Sequence, residues 1–144
     1  MRRSLVGSEM CIRDRYIYNH EVGFDDDGSA MTSFIESAPM DIGDGDKFVF
    51  LKRVIPDVTF DGSTSVYPDV SFTMKAKNFP GSNFNETTQN TTQRSATSPI
   101  EQFTEKLDYR LRGRSFALRI DSTSLGTKYK LGTPRVDIRE DGRR

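Results

Sequence analysis

The sequence predicts an all-β chain of antiparallel strands, and three observations carry that expectation. Apolar and polar residues alternate with period two over residues 70–77 and 116–121, the spacing that turns one set of side chains toward a core. No long segment keeps an apolar face at the helical spacing of three and four. Clusters of Gly, Pro and Asp punctuate the chain where strands would have to end.

Taken in order, residues 34–42 are the first strand candidate, weakened by Pro39, which marks an edge position, a bulge or a break. Gly43-Asp44-Gly45-Asp46 is a turn, because Gly reaches positive φ and Asp bonds its own backbone. Residues 47–55 (KFVFLKRVI) are rich in β-branched and aromatic side chains and read as a more fully buried strand, with Phe48 and Phe50 inward. Asp61-Gly62-Ser63 turns the chain again. Val70, Phe72, Met74 and Ala76 then alternate with Ser71, Thr73, Lys75 and Lys77 as a strand with one wet face.

Residues 81–98 have only Phe84 and Ala96 as apolar members, so the sequence predicts one long polar loop there. Residues 99–107 have room for a short helix at most, opened by Ser98 before Pro99 with Glu101 in its first turn. Phe116, Leu118 and Ile120 define another half-buried strand. Leu125-Gly126-Thr127 is a turn, and residues 129–138 are a last strand candidate interrupted by Pro134. Ile55-Pro56-Asp57-Val58-Thr59-Phe60 and Tyr67-Pro68-Asp69-Val70-Ser71-Phe72 read alike, as two Pro-Asp corners feeding strands rather than as a repeated unit.

The chain has 144 residues, enough for one domain and too few for two independent cores. Residues 4–15 are similar to translated sequencing-adapter read-through. Residues 1–15 are therefore expected to be an artefactual or disordered tail, and Cys11 within them has no redox role. The single domain is expected to occupy 16–144. One Cys and one His exclude a disulfide scaffold and a zinc site built on several such ligands. No stretch reaches the length of about 18 apolar residues that marks a membrane span.

Formal net charge is zero, yet it is segregated. Residues 16–47 hold eight acids and one Lys, whereas residues 110–144 hold eight Arg, two Lys and four acids. Such asymmetry marks two faces, or two segments that meet in an assembly. Arg112, Arg114, Arg119, Arg135 and Arg139 are the candidate assembly contacts, because a planar guanidinium pairs directionally with carboxylates. Phosphate contact is open to the same residues and to Arg110, Arg143 and Arg144. Base reading needs interleaved stacking aromatics, and near these arginines the sequence offers only Tyr109, Phe116 and Tyr129.

Catalytic chemistry has less to stand on. Asp25-Asp26-Asp27 and Asp41, Asp44 and Asp46 are acidic, but neither set has the calcium-loop spacing with a closing Glu. His20 has no Ser or Cys nucleophile in recognisable context, and no Gly-rich phosphate loop appears. The expectation is a non-enzyme with no metal and no cofactor. Asn85-Glu86-Thr87 and Asn90-Thr91-Thr92 match glycosylation acceptors only as polar loop composition.

Residues 112–122 (RGRSFALRIDS) followed by 125–144 (LGTKYKLGTPRVDIREDGRR) resemble the C-terminal end of large virion structural proteins of short-tailed bacteriophages. A second similar block runs from Asp44 through Val58, and the resemblance spans residues 34–144. Tyr129 stands where Trp is the more usual residue, which keeps the aromatic role. The resemblance implies a C-terminal fragment of a tail tube, nozzle or stabilisation protein of β-propeller type. Such a protein sits in the virion, is assembled in the bacterial host cytoplasm and carries no catalytic residues. Its partners would be other copies of itself and neighbouring tail proteins, with non-specific DNA contact allowed in a tail lumen. About 130 residues would fill roughly three four-stranded blades. The alternative is a carbohydrate-binding β-sandwich module of a virion or cell surface, which should present several exposed aromatics on one face. Tyr16, Tyr18, Tyr67 and Tyr109 are scattered along the chain.

Overall fold

A computed structural model describes residues 23–84 and 93–142. The expectations placed on residues 1–22, with Cys11, Tyr16, Tyr18 and His20, on Asn85 and Asn90, and on Arg143 and Arg144 lie outside the described residues. Among the described residues every regular element is a strand, and no helix is long and apolar enough to cross a membrane.

The chain opens with a small hairpin of β1 (Asp25–Asp26) and β2 (Ser29–Ala30). Its turn holds Asp27 at φ 49° and Gly28 at φ 87°. Both central residues of a type I′ turn must be left-handed, and Asp-Gly tolerates that best. Then come β3 (Ser33–Glu36) and β4 (Met40–Asp41), separated at Pro39 as the sequence predicts. The central elements are β5 (Val49–Ile55), β6 (Val58–Thr59), β7 (Asp69–Lys77), β8 (Ser95–Glu101), β9 (Leu107–Gly113) and β10 (Ser115–Ser122). The last are β11 (Lys130–Leu131) and β12 (Arg135–Glu140), divided at Pro134.

Two antiparallel sheets carry the fold. One runs β3-β10-β7-β8, with β4 continuing beside β10. The other is β12-β5-β9. The chain crosses from one sheet to the other several times, most sharply where only Arg114 separates β9 from β10. This is the sandwich-like arrangement, in which two sheets face one core.

That core is a single cluster. Val70, Phe72, Met74, Ala76, Ile100, Phe116 and Ile120 come from the first sheet, and Val49, Leu51, Val54, Leu107, Tyr109 and Leu111 from the second. The Tyr109 hydroxyl donates to the Phe72 carbonyl at 3.0 Å, a buried polar tie between the sheets. Burial pushes the Tyr109 hydroxyl above its ordinary pKa, because the phenolate would have to be desolvated. β7 follows its predicted alternation residue by residue, with all four apolar side chains inward.

Three expectations are corrected. In β5 the inward residues are Val49, Leu51 and Val54, while Phe48 and Phe50 are only half-buried. Pairing with β12 and β9 sets that phase, and a register shift around Lys52 brings Val54 back inward. The polar segment 81–98 is not loop throughout: its last four residues open β8, which pairs with β7 from Lys75↔Ser95 to Asp69↔Glu101. Residues 99–107 hold no helix. Pro99 sits in β8, an edge strand of its sheet, where its missing N–H costs no ladder bond.

Candidate assembly surface

Strand parity fixes which charges face outward. Ile120, Phe72 and Ile35 share one row on the inner side of the first sheet, so Arg119, Thr73 and Glu36 in the next row point out. There Glu36 accepts from Lys75 Nζ at 2.7 Å and from Arg119 Nη1 at 2.9 Å. Arg119 also grips both carboxylate oxygens of Asp121, its Nε lying 2.8 and 2.9 Å away, and lies 4.2 Å from the centre of the Phe34 ring.

The hydrogen bonds from Lys75 and Arg119 hold the Glu36 carboxyl below its ordinary pKa. The hydrogen bonds that Arg119 donates to Asp121 and Glu36 raise the pKa of its guanidinium. Arg119 is thus engaged within its own chain.

The second sheet brings together what the sequence keeps apart. Arg139, Phe50 and Arg112 form one outward row across β12, β5 and β9. Arg112 and Arg114 both lie over the Phe48 ring, at 4.1 and 4.7 Å from its centre, within cation–π range. Arg112 also pairs with the Asp141 carboxylate and donates to the Asp141 carbonyl at 3.2 Å. In the neighbouring row Arg53 pairs with Asp108 at 3.2 Å, and Asp137 stands on the other side of Arg53. Burial of Phe48 and Phe50 as core residues is what the sequence predicts; the use of Phe48 as an aromatic seat for arginines is what it misses. The missed signal was apolar residues at both parities of residues 48–51, which left two of them for the outer face.

β12 is one of the two outer strands of this sheet, opposite β9. It presents Arg135, Val136, Asp137 and Arg139 as exposed residues, Val136 at 49%. Among the described residues Arg135, Asp137 and Arg139 form no ion pair. The five candidate arginines therefore divide three ways: Arg119 is internal to the first sheet, Arg112 and Arg114 flank Phe48, and Arg135 and Arg139 line an open edge.

Other acidic residues are held by backbone and hydroxyls. Asp25 accepts from the Gly126 N–H at 2.6 Å, Asp57 from the Thr133 N–H at 2.8 Å, and Asp41 from the Ser115 hydroxyl. Among the described residues no three His, Cys, Asp or Glu side chains are gathered where a metal ion could sit. Of the scattered tyrosines, Tyr109 is buried, while Tyr67 is 84% exposed. Phe103, 88% exposed, belongs to the same sheet end, since Asp69 and Glu101 are partners in register. No protein-family model matches the chain, and no curated protein matches it.

Proposed function

We propose that the chain is a structural, non-catalytic part of a bacteriophage tail, a piece of a tube, nozzle or stabilisation protein that acts by assembly contacts in the virion. Support comes from the similarity of residues 112–144 to the close of such proteins and from the all-β architecture. The observation that carries the reading is the placement of the basic end. Arg135 and Arg139 lie on an exposed outer strand and have no ion pair among the described residues, and arginine is the cation best suited to paired contacts at interfaces.

Reversing both charges (Arg135→Glu with Arg139→Glu) in the virion protein is the test. Particle yield should fall while far-ultraviolet circular dichroism of the isolated protein stays unchanged. Normal particle yield with both charges reversed rules this use of the basic end out.

A second reading, a carbohydrate-binding module, rests on Tyr67 and Phe103, two aromatics exposed at one end of the sandwich. Saturable oligosaccharide binding that is lost on Tyr67→Ala or Phe103→Ala would replace the first reading with this one.

A further inference from the structure

The geometry points to self-association of this chain through β12, two copies adding their outer strands antiparallel about a two-fold axis centred on Ile138. The inference goes beyond the tail reading, since it concerns the isolated chain and is measured without a virion. The starting observation is an open edge. Among the described residues β12 has its ladder to β5 on one side only, which leaves its other row of N–H and C=O groups for another strand. β8, one outer strand of the other sheet, is guarded by Pro99. β12 contains no proline over its six residues and exposes Val136, which shares an inward-facing row with the fully buried Val54.

Charge on an edge usually guards against pairing. Here the signs alternate along the outer face as Arg135, Asp137, Arg139 and Asp141, so the register decides between repulsion and attraction. A two-fold axis perpendicular to the sheet keeps outer residues opposite outer residues and sets each strand's central residue against itself. Centred on Asp137, the pairing would put Asp against Asp and, on either side, Arg135 against Arg139. Centred on Ile138, it puts Asp137 opposite Arg139 of the second copy twice over. It also sets Arg135 beside Asp141, which already takes Arg112. Ile138 then meets its own mate on the inward side. Centring on Val136 also makes opposite-charge pairs, but sets Pro134, which has no N–H, against Ile138 and leaves Arg139 beyond the pairing. The Ile138 register alone uses the whole strand with no like-charge row.

Opposite charges set directly across antiparallel strands attract and like charges repel, which makes the register testable by a charge swap. The measurement is sedimentation equilibrium of the full chain over a concentration series, with hydrogen exchange of residues 135–140 at low and high concentration. The parent should form a dimer with a dissociation constant on the order of 0.1 mM, as befits a small interface. β12 should gain exchange protection with concentration, and the dimer should weaken in high salt.

Asp137→Arg alone and Arg139→Asp alone should each weaken the dimer at least about tenfold. The double variant with both changes restores opposite charges in this register and should dimerise like the parent. In the Val136 register the same double variant sets Arg135 against the guanidinium introduced two residues further on, and it stays monomeric. All three variants change exposed side chains, and circular dichroism checks that each is folded. A parent that remains monomeric, single variants that dimerise as well as the parent, or a double variant no better than the singles would each overturn the proposal. So would a mass increase that appears only with added oligonucleotide, which would assign the edge to phosphates instead.

Discussion

At Gly113 one sheet lies tight against the other, and replacing this residue with Ala should let the protein unfold more easily. The residue ends β9, pairs with Val49 and is buried. A Cβ built there would lie 2.9 Å from the Ala76 Cβ and 2.9 Å from the Lys77 carbonyl oxygen. Neither neighbour is the loose end of a flexible chain, and the Lys77 carbonyl already accepts the Arg114 N–H at 2.8 Å.

Ala in place of Gly normally stabilises by about 0.4–1 kcal/mol through the unfolded chain. Overpacking between sheets costs about 1–3 kcal/mol, and weakening the Arg114–Lys77 hydrogen bond adds roughly 0.5–1.5 kcal/mol. The cost wins, leaving a net loss of about 1–3 kcal/mol. Gly81→Ala is the control, since nothing lies within 4 Å of a Cβ there, and it should be neutral or slightly stabilising. Urea unfolding followed by circular dichroism reads both. A Gly113→Ala variant as stable as the parent would refute the packing argument. Gly113→Ala combined with Ala76→Gly should recover only part of the loss, because the carbonyl contact remains.

Three further outcomes follow from the same packing and electrostatics. Phe72→Ala, at a fully buried site, should cost about 3–5 kcal/mol, whereas Phe50→Ala on the outer face of β5 should cost clearly less by the same unfolding assay. Glu36 has a folded pKa below its ordinary value, so its stabilisation is in full force above about pH 4.3 and is lost as pH falls through the folded value. Thermal midpoints from pH 6 downward, compared with those of Glu36→Gln, should show the variant losing less on acidification. Tyr109 has a folded pKa above its ordinary value, so the unfolded chain ionises first and stability drops as pH rises past about 10. Tyr109→Phe should cost roughly 1 kcal/mol at neutral pH by losing its bond to Phe72 and should remove this part of the alkaline loss.

What the sequence by itself determined is the strand class and the phase of its cleanest strands. β7 is legible because one long segment has apolar residues at a single parity, so period two states both the element and its buried face. The breaks at Pro39 and Pro134 are legible because proline has no N–H to donate where a ladder needs one. The phase of β5 was not legible: residues 48–51 are apolar at both parities, and only pairing with β9 and β12 decides that Val49 and Leu51 go in while Phe48 and Phe50 go out.

β8 was hidden for the opposite reason. Its Ser, Ala and Thr residues bury little, and the strand exists because β7 offers it a ladder. The arginines behave likewise. Composition marks the basic end, but Glu36 reaches Arg119 across 83 residues of chain and Phe48 meets Arg112 across strands. The open edge at Arg135 and Arg139 is a property of sheet order. Local periodicity records only which side of a strand is wet, whereas partners, phase and edges are set by contacts between residues far apart in sequence, which the tertiary structure alone decides.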